Sequence, residues 1–171
     1  NPVRFDAGNI FFGTSPYTTA SNYISLAALT ASGTSSTVIN LGVAEDMGIG
    51  SGVAIPRIAV QVGTGITSAS AGLLLNWQFQ GSTDSSNWTI YAETGAKSTA
   101  SWTAGSYILP IAVPRRPSGV ALPQYYRMRM AVTGITNETI TIGTVFGGLV
   151  LSREDTVDTG GQYPSGFTVA A

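Results

Sequence analysis

Between residues 73 and 80, large apolar side chains recur at every second position: Leu73, Leu75, Trp77 and Phe79, set against Asn76, Gln78 and Gln80. A repeat of two puts the sets on opposite faces of an extended chain, whereas a helix would scatter them around its circumference. Residues 125–133 repeat the pattern. Tyr126, Met128, Met130 and Val132 form one set, and Tyr125, Arg127 and Arg129 the other. Two such segments demand a sheet with one face on a core and one face outward.

The rest of the chain follows suit. Residues 57–64 put Ile58, Val60 and Val62 inward and Ala59 and Gln61 outward. Residues 37–41 form a short strand closed by Gly42, and residues 88–92 pair back after a polar turn at 81–87. Residues 106–113 present Leu109, Ile111 and Val113, with Pro110 marking an edge or a bulge. A proline-rich connection spans 114–123, and residues 139–152 form a long β segment in which Gly143, Gly147 and Gly148 permit bulges. Only residues 26–31 and 43–48 could hold a helical turn.

Seven or eight strands in about 120 residues predict an all-β domain, a jelly roll or two-sheet β-sandwich, with a barrel still open. The division expected is an N-terminal arm at 1–23, the jelly-roll β domain at 24–152, and a C-terminal arm at 153–171. Both arms carry aromatics, which a disordered tail would lack.

Chemistry is limited by what is missing. The 171 residues contain no His and no Cys, and Lys97 is the sole lysine. A Ser-His-Asp triad, thiolate catalysis, thiolate metal sites and disulfides are therefore excluded. Lys97, among Gly95, Ala96, Ser98 and Thr99, reads as an exposed loop residue. The carboxylates Glu45 and Asp46 are adjacent but have no context that would converge them on a cleft. Asp84 reads as a β-turn residue without calcium-loop spacing. The chain is expected to be no enzyme, with no cofactor and no metal. Net charge is −1, which offers no field for nucleic acid, and no apolar run reaches bilayer-spanning length. No secretion signal is visible. The first residue is Asn1, consistent with removal of an initiator Met or a leader.

Charged residues make up only 10% of the chain, a surface better suited to being covered than to a solitary monomer. The candidate partner-interface residues are Phe5, Phe11, Phe12, Tyr17 and Tyr23 in the first arm and Tyr163 and Phe167 in the last. Trp102 joins them as an interface anchor or sugar platform in a loop, along with Arg115 and Arg116, held between Pro114 and Pro117. Trp77 is assigned to the core, and Trp88 leans that way. Arg127 and Arg129 form a small positive stripe expected to pair with acidic groups on the adjacent strand.

In order and spacing, several segments resemble the capsid cement (decoration) proteins of tailed bacteriophages, a group typified by a Bordetella phage cement protein. They read STVINLG at 36–42, LLLNWQFQGSTDSSNW at 73–88, AGSYILPIAVP at 104–114, YYRMRMAVTG at 125–134, GTVFGGLVL at 143–151 and YPSGF at 163–167. The resemblance runs from near Leu26 to Phe167. Residues 1–23 depart from it by being longer than the usual start. It implies a jelly-roll virion protein on the outer surface of the phage head, seated at junctions between major capsid proteins and stabilising the mature shell. Its implied partners are the phage major capsid protein and itself, as homodimer or homotrimer, with no direct nucleic acid and no membrane. A carbohydrate-binding β-sandwich of a phage fibre or surface adhesion module is the alternative. It requires an exposed Trp102 or Trp88 beside polar loop groups.

Overall fold

Among the described residues, the two alternating segments form the longest strands, and the other strands assemble on either side of them or pack across from them. A computed structural model describes residues 10–13, 24–26, 34–48, 56–69, 72–134 and 140–150. Among these, the strands in chain order are β1 (Ile10–Phe12), β2 (Ile24–Ser25), β3 (Thr34–Ser35), β4 (Ile39–Asn40), β5 (Arg57–Val62), β6 (Thr67–Ser68) and β7 (Leu74–Ser82). They continue with β8 (Thr89–Glu93), β9 (Lys97–Ser98), β10 (Tyr107–Ile108), β11 (Tyr125–Thr133), β12 (Ile140–Ile142) and β13 (Thr144–Val150). The only helical element among the described residues is a 3₁₀ turn at Thr99–Ser101.

All pairings among the described strands are antiparallel. The first sheet runs β1-β13-β5-β10, with β2 also on β13; the second runs β3-β11-β7-β8, with β4 on β11 and β9 on β7; β12 and β6 form a small third. One core cluster joins Ile58, Val60, Val62, Val145 and Leu149 of the first sheet to Leu75, Trp77, Phe79, Tyr126, Met128, Met130 and Val132 of the second. The protein is an all-β sandwich, and the inward sets read from the alternation are the buried ones.

Several boundaries differ from the sequence reading. Residues 139–152 divide at Gly143 into two strands belonging to different sheets. Residues 106–113 keep only β10 as a strand, because Leu109 takes a φ of +51° and Ile111 N–H donates back to the Leu109 carbonyl at 2.8 Å. β10 lies at the edge of its sheet, where Pro110 removes no ladder bond. Residues 43–48 close in a turn at Met47–Gly48 without a helix.

Ile10–Phe12, within the segment expected to be an arm, is instead an integral strand. Its register against β13 shifts between Ile10 and Phe12. Such a bulge lets consecutive side chains share a face, so Phe11 meets Phe79 (6.1 Å between ring centres) and Phe12 meets Trp77 (5.9 Å). Opposite Phe12, Gly147 has a φ of +147°, and a Cβ there would collide with the Ala59 carbonyl.

Candidate interaction face

The outward set of the second sheet is where the polar and aromatic groups converge. Register places Arg127 opposite Gln80 and Arg129 opposite Gln78 across β11 and β7, and Glu93 opposite Gln78 across β7 and β8. A bulge between Phe79 and Gln80 then sets Ile90 opposite Gln80, exposed, and lets Tyr91 turn inward. Tyr91 packs its ring over Gly81, where a Cβ would stand 2.5 Å from the ring carbon Cζ. There it completes an aromatic group with Phe79 (6.2 Å) and Tyr126 (5.8 Å), the latter pair itself stacked at 5.1 Å on Phe79. Burial pushes the Tyr91 hydroxyl up to about 12, with the Asp46 charge adding to it.

On the outward side, Trp88 precedes β8 and Arg127 lies on β11, the two strands that flank β7. They meet above β7: the guanidinium carbon stands 4.1 Å from the Trp88 ring centre. Arg127 Nε donates to Gln80 Oε1 at 2.8 Å, and Gln80 Nε2 donates to Gln78 Oε1 at 2.9 Å. Gln80 and Gln78 are thereby buried although they point away from the core, and Ser82 beside them is buried as well. Desolvation, then the nearby Arg129 charge, lowers the Arg127 pKa; an arginine stays charged regardless. Asn76 donates to Glu93 at 2.8 Å along the same face. The residues directly opposite Arg127 and Arg129 are thus glutamines, not the acidic groups expected, because Glu93 sits one strand further out.

A stacked, hydrogen-bonded guanidinium has lost most of its rotational freedom before any partner arrives. Its ordering cost is met by folding rather than by binding. Trp, Tyr and Arg are also the side chains most often dominant in binding energy, and Trp88, Tyr125, Arg127 and Arg129 share this face.

Elsewhere, the sequence-based candidates are reassigned. Phe11, Phe12 and Trp102 are buried in the core of their own chain and present nothing to a partner. Trp102 packs edge-on to Trp77 at 6.2 Å, and exposed Lys97 lies 5.8 Å from its ring. Arg116 is tied to its own chain although its side chain stays 37% exposed: Nη1 donates to the Val120 carbonyl at 2.8 Å, and Nε lies 3.7 Å from the buried Asp46 carboxylate. Asp46 also accepts the backbone N–H groups of Gly48 and Arg116, both at 3.1 Å, tying the 43–48 segment to the proline-rich connection. That role was invisible in sequence, because it depends on residues 70 positions apart. Arg115 is exposed. Phe5, Tyr17, Tyr23, Tyr163 and Phe167 lie outside the described residues, as does the C-terminal arm.

Asp84 is a turn residue, as its context suggested. It accepts from Asn87 N–H (2.8 Å), Asn87 Nδ2 (2.7 Å), Ser86 N–H (2.9 Å) and Ser82 Oγ (3.0 Å). The Asn87 backbone bond leads these in holding its carboxyl well below the usual range. Among the described residues, no three acidic side chains gather as metal ligands would. No described helix is long and apolar enough to cross a membrane. In comparisons with known proteins, no family model and no curated sequence matches the chain.

Proposed function

We propose that this chain is a non-enzymatic structural virion protein of jelly-roll connectivity. In this reading it binds the outer surface of a tailed-phage head at junctions between major capsid proteins and stabilises the mature shell. The observation that carries the reading is the Arg127 guanidinium, held between Trp88 and Gln80 on the outward face of the second sheet, with a glutamine rather than an acidic residue opposite it on β7. Such a face fits a broad protein surface bearing carboxylates or carbonyls better than a small molecule, which prefers a concavity. A lattice multiplies the contact: modest affinity per copy becomes firm attachment where several copies are joined. The ordered segments resembling cement proteins support the same reading, and low charge limits repulsion between crowded copies.

The test is to mix purified protein with undecorated, expanded heads. Stoichiometric binding and a raised disruption temperature are expected, both weakened by Arg127→Ala. Failure to bind heads in any maturation state overturns the proposal.

One observation favours the carbohydrate-binding alternative: Trp88 is partly exposed beside the Gln78–Gln80 amides. Against it, Trp102 is buried and Arg127 already occupies one face of Trp88. Saturable, Trp88-dependent binding on a glycan array, without binding to heads, would establish it instead.

A further inference from the structure

Three buried apolar residues lie on the wrong side of the first sheet. Val60 and Ile58 point into the core, so their register partners Gly147 and Leu149 do too, while Phe146 and Val150 point outward with Gln61 and Arg57. Ile10, opposite Gly148, points outward as well. All three stand apart from the core cluster between the sheets, yet Ile10, Phe146 and Val150 are only 6%, 3% and 6% exposed. At the far edge of the same face, Tyr107 is 55% exposed. The cover is therefore deepest over β1 and β13, thins across the half-buried Arg57, Ala59 and Gln61 of β5, and is gone at β10.

We propose that this strip is the seat of the protein's own C-terminal segment, residues 151–171, which folds back over it and places Tyr163 and Phe167 against Phe146 and Ile10. This does not depend on the proposed function. Four features point to that occupant. The segment follows directly on Val150, itself one of the three. Its first acidic residues, Glu154, Asp155 and Asp158, follow where the chain leaves Arg57, the outward residue opposite Val150. Its aromatics supply the apolar surface that a Phe and two aliphatic side chains would bury. Reach is ample: Tyr163 is 13 residues beyond Val150, roughly 43–47 Å when extended. Phe146 lies only four residues back along β13, about 14 Å.

Because the natural chain has no Cys, a pair of introduced thiols reports position without interference. Ala59, on the outward face opposite Gly148, and Ser165, between the two aromatics, are changed to Cys in one full-length chain. Mild oxidation should give an intramolecular crosslink that runs as a monomer at every protein concentration. In parallel, a chain ending at Ser152 should bind an apolar dye several-fold more strongly and melt at a lower temperature. Should truncation prevent folding, the full-length Tyr163→Ser/Phe167→Ser variant must show the same dye binding. The proposal is overturned if dye binding and melting are unchanged in these variants. It is also overturned if the crosslink forms only between chains, which would assign the seat to the tail of a second copy. Equally, it fails if deleting residues 1–9 exposes the strip while loss of the tail does not.

Discussion

The Arg127 guanidinium lies 4.1 Å from the centre of the Trp88 ring, though the two residues belong to strands separated by β7. The contact bridges the middle strand from both sides and roofs Gln80, which in turn holds Arg127 by its Nε. Side chains on this face are thus held by one another through stacking and hydrogen bonds. That ordering makes the face a candidate for recognition rather than a merely solvated surface.

Arg127→Ala and Trp88→Ala should separate folding from binding. Trp88→Ala removes a partly exposed cation–π contact worth about 0.5–1 kcal/mol, so its urea midpoint should move little. Arg127→Ala also leaves the buried Gln80 Oε1 without its donor, a further cost of about 1–3 kcal/mol. Head binding should fall in each, about 30-fold for a hot-spot loss near 2 kcal/mol. Arg127→Lys keeps the charge but loses the fork, and is expected to resemble the Ala variant in binding. Equal loss of stability and binding in all three would show that the face is only structural.

Asp46→Ala strands the Gly48 and Arg116 backbone N–H groups and removes the ion pair with Arg116. The expected cost is about 1–3 kcal/mol, read from chemical denaturation. Hydrogen exchange should quicken at both N–H groups while β7 and β11 stay protected. Uniform loss of protection across the sheets would contradict a local tie.

Gly81→Ala forces a Cβ against the Tyr91 ring. Overpacking of this kind costs about 1–3 kcal/mol. Combining it with Tyr91→Leu should recover part of that loss, because a shorter side chain clears the contact. A double variant whose losses simply add would show that the two residues do not touch.

Two pH limits follow from opposite shifts. Tyr91 ionises at about 12 in the folded protein against an ordinary 10.0. Its contribution is therefore complete below pH 10 and is lost as pH rises toward 12, the raised-pKa case. Ultraviolet titration of wild type and Tyr91→Phe should show one late-ionising tyrosine missing from the variant. Asp84 is lowered, so its turn is fully supported above the ordinary carboxylate range and weakens only as pH falls through its depressed pKa. An NMR carboxyl titration should find Asp84 still ionised at pH 3, where exposed carboxylates elsewhere are mostly protonated.

The alternation at 73–80 and 125–133 is a local property, and it determined β7, β11 and their buried faces without reference to any other segment. The absence of His and Cys likewise decided, from composition alone, which chemistries the chain could not perform. Tertiary structure was needed wherever register mattered. Phe11 and Phe12 both enter the core because a bulge shifts β1 against β13, and Ile10, Phe146 and Val150 turn outward by the same pairings. Trp88 reaches Arg127, and Asp46 reaches Arg116, across 39 and 70 positions of chain. A period of two says that a residue faces one side or the other. Only the pairing of distant strands says which residues stand beside it there, and a slip of one residue would exchange the faces.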